Sequence, residues 1–85
     1  MSEKFSAHVF VNLKDGVLDP QGRAVLGGLH SLGFKDVTDV RVGKLITVKL
    51  KAQNAKEAQK SVAEMSDKLL ANPVIESFKV EVIEE

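Results

Sequence analysis

An alternating run near the N-terminus limits the architecture of this 85-residue chain more than any other feature. Phe5, Ala7, Val9, Val11 and Leu13 alternate with Ser6, His8, Phe10 and Asn12, the period of two that sends one set of side chains to each face of a half-buried strand. The chain has room for one domain, residues 1–85. Burying roughly 60% of its unfolded surface would leave that domain marginal without help from an oligomer or a larger partner.

After the strand comes "LKDGVLDPQGRAV", Leu13 to Val25. Asp19 is placed to cap a helix N-terminus, and Pro20 fits the first helical position, where its missing N–H costs nothing. Val25, Gly28, Leu29 and Leu32 follow helical spacing, and Gly33 supplies a left-handed stop. A second helix opens at Asn54 with Glu57 in capping-box position. It carries an apolar stripe of Ala55, Ala58, Val62, Met65 and Leu69 and stops at Asn72-Pro73. "SFKVEV" closes the chain as a strand with Phe78, Val80 and Val82 on one face.

The middle run, Val37 to Lys51, reads as one long strand bent at Gly43, because straight passage keeps Val40, Val42, Ile46, Val48 and Leu50 on one face. A two-residue hairpin at Gly43-Lys44 would mix the faces. Such a strand outruns its neighbours, so part of its edge stays open, and a second copy of the chain is the simplest cover. If both helices cover one sheet face, Phe10, Leu45 and Ile83 fall on the other and, with Gly43 at the bend, form a candidate oligomer interface. Isolated exposed apolar residues are the alternative. The order of elements predicts an α+β two-layer sandwich, βαβαβ with an antiparallel sheet and a long bent middle strand, close to a ferredoxin-like fold.

Charge and composition exclude several functions. Twelve basic residues balance twelve acidic ones, so no global field draws in nucleic acid or an anionic membrane. Phe10 is the one aromatic available for base stacking on the open face. No run is long enough to span a bilayer and the N-terminus lacks an apolar signal region, which predicts a soluble, cytoplasmic protein. The absence of cysteine removes disulfides, thiolate metal sites and a cysteine nucleophile.

The glycines of the opening segment do not have phosphate-loop spacing, since Gly22 is followed by Arg23-Ala24 where Lys-Ser/Thr is required. His8 and His30 read as surface residues and make no catalytic or metal pair. Asp15 and Asp19 are explained by turn chemistry and capping without a metal. No catalytic residue and no metal site is expected. Arg41 and Lys44, two cations flanking Val42-Gly43 on an extended strand, suit an acidic groove on a partner.

Taken together, "LKDGVLDPQGRAV", "VRVGK" and "NPVIESFKVEV" resemble the PurS family, the small subunit of phosphoribosylformylglycinamidine (FGAM) synthase, over nearly the whole chain. The resemblance implies a non-catalytic subunit of an ATP-dependent glutamine amidotransferase ligase in de novo purine biosynthesis. That complex turns formylglycinamide ribonucleotide, glutamine and ATP into formylglycinamidine ribonucleotide, glutamate, ADP and phosphate. It further implies bridging of a glutaminase subunit (PurQ) and a large synthetase subunit (PurL), help in ammonia transfer, and self-association to a dimer or tetramer. ATP and Mg belong to the complex, with no cofactor on this chain. Lys14, Asp15 and Arg23 in the recognisable turn, with Arg41 and Lys44, then become candidate partner contacts. The alternative is a ferredoxin-like regulatory module that binds a small anionic metabolite through Gly16, Gly22, Arg23 and Arg41.

Overall fold

A computed structural model describes residues 3–85. The chain runs β1 (Glu3–Leu13), α1 (Pro20–Ser31), β2 (Lys44–Ala52), α2 (Ala55–Met65), a π-helical turn (Ser66–Leu70) and β3 (Glu76–Glu84). The predicted α+β class, βαβαβ order and antiparallel sheet are all present. β1 is the central strand, pairing antiparallel with β2 on one side and β3 on the other.

The alternation in β1 does what its period requires. Phe5, Ala7, Val9 and Val11 are buried, and the register places Val9 between Ile46 and Val80, and Ala7 between Val48 and Val82. These rows form a single apolar face. α2 covers it, inserting Ala58 and Val62. Asn54 caps α2 as its sequence predicts, its side-chain oxygen accepting from the Glu57 amide at 2.9 Å.

The stripe predicted on α2 differs toward its end. Met65 and Leu69 are exposed, and the buried line instead runs Ala58, Val62, Ser66. The π-helical turn adds a residue to the local ring and rotates Leu69 out of the seam. Ser66 can be buried there because its hydroxyl donates to the Val62 carbonyl at 2.8 Å.

Two further corrections concern the middle of the chain. Of the run from Val37 to Lys51 predicted as one long bent strand, only the part after Gly43 joins the ladder, and β2 begins at Lys44. The premise that both helices cover one face also fails. The core and the side chains packed on it come from the three strands, α2 and the segment after it, with none from α1.

Instead, α1 and the segment 37–42 that returns from its far end form an arm. The His30 ring nitrogen Nε2 contacts the Val37 carbonyl at 2.8 Å, and Val42 donates its amide to Asp19 at 2.7 Å, so the return segment is tied at both ends of the helix. Gly33, with φ of 101°, turns the chain at the tip. The molecule therefore measures 55 × 27 × 14 Å, and its radius of gyration of 16.5 Å exceeds the about 12 Å of a compact domain this long.

Candidate partner-binding site

The residues singled out in the sequence gather at two places: the foot of the arm and the sheet face opposite α2. The foot is built around Asp19. Its first carboxylate oxygen accepts from the Gly22 amide at 2.9 Å, closing the first turn of α1. Its second accepts from the Val42 amide at 2.7 Å and holds the return segment against the helix start. These two bonds, that from Val42 first, hold the Asp19 carboxyl below its ordinary value; burial opposes them, and the nearby Arg41 charge adds in their direction. The capping role was legible in Asp19-Pro20. The bond to Val42 was not, since no local pattern links positions that far apart.

Arg41 lies beside this cap and clamps the preceding turn, one guanidinium nitrogen donating to the Val17 carbonyl and another to the Lys14 carbonyl, each at 3.1 Å. Lys14 donates its ammonium to the Pro73 carbonyl at 2.7 Å and its backbone amide to Ile75 at 2.8 Å. The "KDGV" turn and the "NPVI" turn, both part of the recognisable pattern, are thus fastened to one another. Lys44 pairs with Glu76 at 3.6 Å across the sheet's end, the lysine exposed and the glutamate side chain largely covered, so the lysine charge stays available to solvent. Asp15 and Arg23 are exposed on the same end of the molecule. The structure therefore brings Lys14, Asp15, Arg23, Arg41 and Lys44 to one region, where Lys14 and Arg41 also serve as internal fasteners.

An anion has little to bind at this helix start. The Gly22 N–H and two Arg41 nitrogens already donate to Asp19 and to backbone carbonyls, which engages part of the donor set of the metabolite-binding alternative and leaves Arg23 exposed beside it.

Gly43 stands where the arm meets the sheet. A side chain there would strike the Asn12 side-chain oxygen and the Val11 carbonyl, so glycine is needed for close approach to β1 rather than for a bend in a continuous strand. On the sheet face away from α2, Phe10 is directly opposite Leu45, while Ile83 is opposite Ser6, four residues back along β1. Phe10 and Leu45 thus make one apolar pair, and Ile83 lies about 13 Å away at the strand spacing. Between them sit Thr47, Glu81 and His8, whose ring meets Phe10 edge-on at 6.5 Å. Among the described residues no group of three or more His, Asp or Glu is arranged to hold a metal ion, and no helix is long and apolar enough to cross a membrane.

This fold recurs in known proteins. The family model described as "PurS: Phosphoribosylformylglycinamidine (FGAM) synthase" matches residues 6–84. The phosphoribosylformylglycinamidine synthase subunit PurS of Archaeoglobus fulgidus is 45% identical over 74 residues, covering 87% of this chain and 92% of that one. The subunit of the same name from Bacillus subtilis is 44% identical over 80 residues, covering 94% of each. Among solved structures, Methanocaldococcus jannaschii PurS superposes with a TM-score of 0.85 at 38% identity, over 95% of this chain and 98% of its own. A chain in the structure of PurLQS from Thermotoga maritima superposes with a TM-score of 0.85 at 29% identity, over 94% of this chain and 98% of its own. The chain belongs to the PurS family of phosphoribosylformylglycinamidine synthase subunits.

Proposed function

We propose that this chain works in the cytoplasm as a single PurS-like domain, the small subunit that joins the PurQ glutaminase to the PurL synthetase and helps ammonia pass between them. The observation that carries this reading is the likeness to a chain of the Thermotoga maritima PurLQS structure over nearly the full length of both. The chemistry of the complex, formylglycinamide ribonucleotide, glutamine and ATP to formylglycinamidine ribonucleotide, glutamate, ADP and phosphate, belongs to its larger subunits, with ATP and Mg bound there.

Lys14, Asp15, Arg23, Arg41 and Lys44 are the proposed contacts with those subunits. They lie together at the foot of the arm and present charge of both signs, and Lys14 and Arg41 are already held by backbone carbonyls, so docking has fewer side chains left to order. Phe10, Gly43, Leu45 and Ile83 are the proposed self-association surface on the open sheet face and its margin, for a dimer or a tetramer. Reconstitution tests the assignment: the chain mixed with its synthetase and glutaminase, ATP, Mg²⁺, glutamine and substrate should raise glutamine-dependent product formation. Equal product without the chain would end the proposal.

A further inference from the structure

Charges at the end of the sheet where β1 begins are sorted by face. Phe5 of β1, Leu50 of β2 and Val82 of β3 belong to the core side, so strand alternation puts Glu3 and Glu84 on that side and Lys4, Lys49 and Lys51 on the other. On the acidic side the hydrogen bond and like charge of Glu84 raise the Glu3 carboxyl above its ordinary value. On the basic side Lys4 lies directly opposite Lys51 in the ladder, and Lys49 opposite Ser6. The first pair sets two cationic side chains about 5 Å apart at their Cβ atoms, a cross-strand arrangement of like charges that costs stability. Lys49 stands about 7 Å from Lys51 along the strand. Among the described residues neither Lys4 nor Lys51 forms an ion pair. Lys49 meets the Glu85 carboxylate at 3.8 Å with its own side chain 74% exposed, a contact worth little in water.

These groups surround a cleft of about 400 Å³ lined by Lys4, Lys49, Leu50, Lys51 and Glu85. The volume falls within the about 300–1,000 Å³ of small-molecule sites. Three ammonium groups against one carboxylate give the cleft a side-chain charge of +2 in a chain whose net charge is zero. That charge matches a phosphate monoester group, which carries about −1.5 to −2 at pH 7. Lysine suits such a group as a mobile point charge, whereas a planar carboxylate is better matched by the fork of arginine.

We infer that this cleft is a binding site for a dianionic phosphate group, borne by a small phosphate ester or free in solution. The three ammonium groups converge on the phosphate oxygens, and the anion offsets the repulsion between Lys4 and Lys51 that the chain alone sustains. Glu85, held by the bond from its amide to the Lys4 carbonyl at 3.1 Å, opposes the anion but offers an acceptor to a hydroxyl of an ester. The site lies about 30 Å along β1 from the foot of the arm and three ladder rows from the Phe10–Leu45 pair. It therefore goes beyond the proposed function, and binding to the isolated chain tests it apart from assembly with the larger subunits.

Calorimetric titration of the chain near neutral pH and at low salt should show saturable binding of ribose 5-phosphate and none of ribose. Inorganic phosphate titrated alongside identifies the source: tighter binding of the ester assigns the site to phosphorylated small molecules, tighter binding of the free anion assigns it to phosphate itself, and either supports the proposal. Lys4→Gln with Lys51→Gln should weaken the binding about tenfold or more, while the melting temperature rises by about 2 °C as the like-charge pair is removed. Glu85→Gln should tighten the binding about threefold. No binding of either anion by the parent, equal binding by the paired glutamines, or retention of single-stranded RNA by a chain that ignores both anions would each overturn the site.

Discussion

The Asp19 carboxylate accepts a 2.7 Å hydrogen bond from the backbone amide of Val42, 23 residues further along the chain. With its other oxygen on Gly22, this one side chain both starts α1 and fastens the segment that returns from its tip. The direction in which the arm projects thus rests on an ionised carboxylate.

Its protonation should therefore loosen the arm. A carboxylate whose folded-state pKa lies below its unfolded value contributes stability that is complete above the unfolded value and is lost as pH falls through the folded one. Glu3 acts in the opposite sense: the hydrogen bond and like charge of Glu84 raise it, so its contribution grows on acidification. In Asp19→Asn the first effect is removed and the second kept. The melting temperature of the parent should fall more steeply below about pH 5 than that of Asp19→Asn, and at pH 7 the variant should melt about 5 °C lower. Thermal melts across pH 2–7 measure both.

Gly22 and Gly27 lie on the same helix but should respond oppositely to alanine. A Cβ at Gly22 would collide with the Val40 carbonyl of the return segment, whereas at Gly27 it meets open space. Gly27→Ala should stabilise by about 0.5–1 kcal/mol through helix propensity. Gly22→Ala should destabilise by about 1–3 kcal/mol through overpacking. Urea unfolding of the two variants, with equal slopes, separates the effects.

The sandwiched part of the molecule is small, so one core residue carries much of its stability. Val62 of α2 is fully buried against Ala7, Val9 and Val11. Val62→Ala should cost about 2–3 kcal/mol from lost transfer and the remaining cavity, lowering the melting temperature by about 10 °C or more. Calorimetry of the two proteins at matched concentration tests this.

Charge at the foot of the arm should matter for assembly more than for folding. Lys44 is exposed and its ion pair with Glu76 is long, so Lys44→Gln should leave the melting temperature within about 2 °C. With Arg23→Glu added, affinity for the larger subunits should fall about tenfold, mainly through slower association. Arg41→Glu, by contrast, should also lower thermal stability, because it releases the Lys14–Val17 turn. Co-elution and binding kinetics with the synthetase and glutaminase read the first effect, and thermal melts the second.

Local rules accounted for the elements whose information is local. The alternation from Phe5 to Leu13 placed β1 and its buried face, Asp19-Pro20 and Asn54-Glu57 placed two helix starts, and the alternation of Phe78, Val80 and Val82 placed β3. The turn segments also carried enough identity to mark the family. Strand parity put Phe10, Leu45 and Ile83 on one face, yet only the ladder register separated Ile83 from the other two.

Tertiary structure decided where α1 goes. The stripe of Val25, Gly28, Leu29 and Leu32 has the period of a helix that must bury one side, and period alone says nothing of which surface receives it. In this chain α2 already covers the central strand, the Asp19–Val42 bond and the Gly22–Val40 approach bind α1 to its own return segment, and Gly43 seats that segment against β1. Each of these is a contact between residues distant in sequence, set by packing space and backbone hydrogen bonding. The amphipathic pattern determined that α1 is a helix with an apolar side; competition for the one covered sheet face determined that this side would be left facing outward.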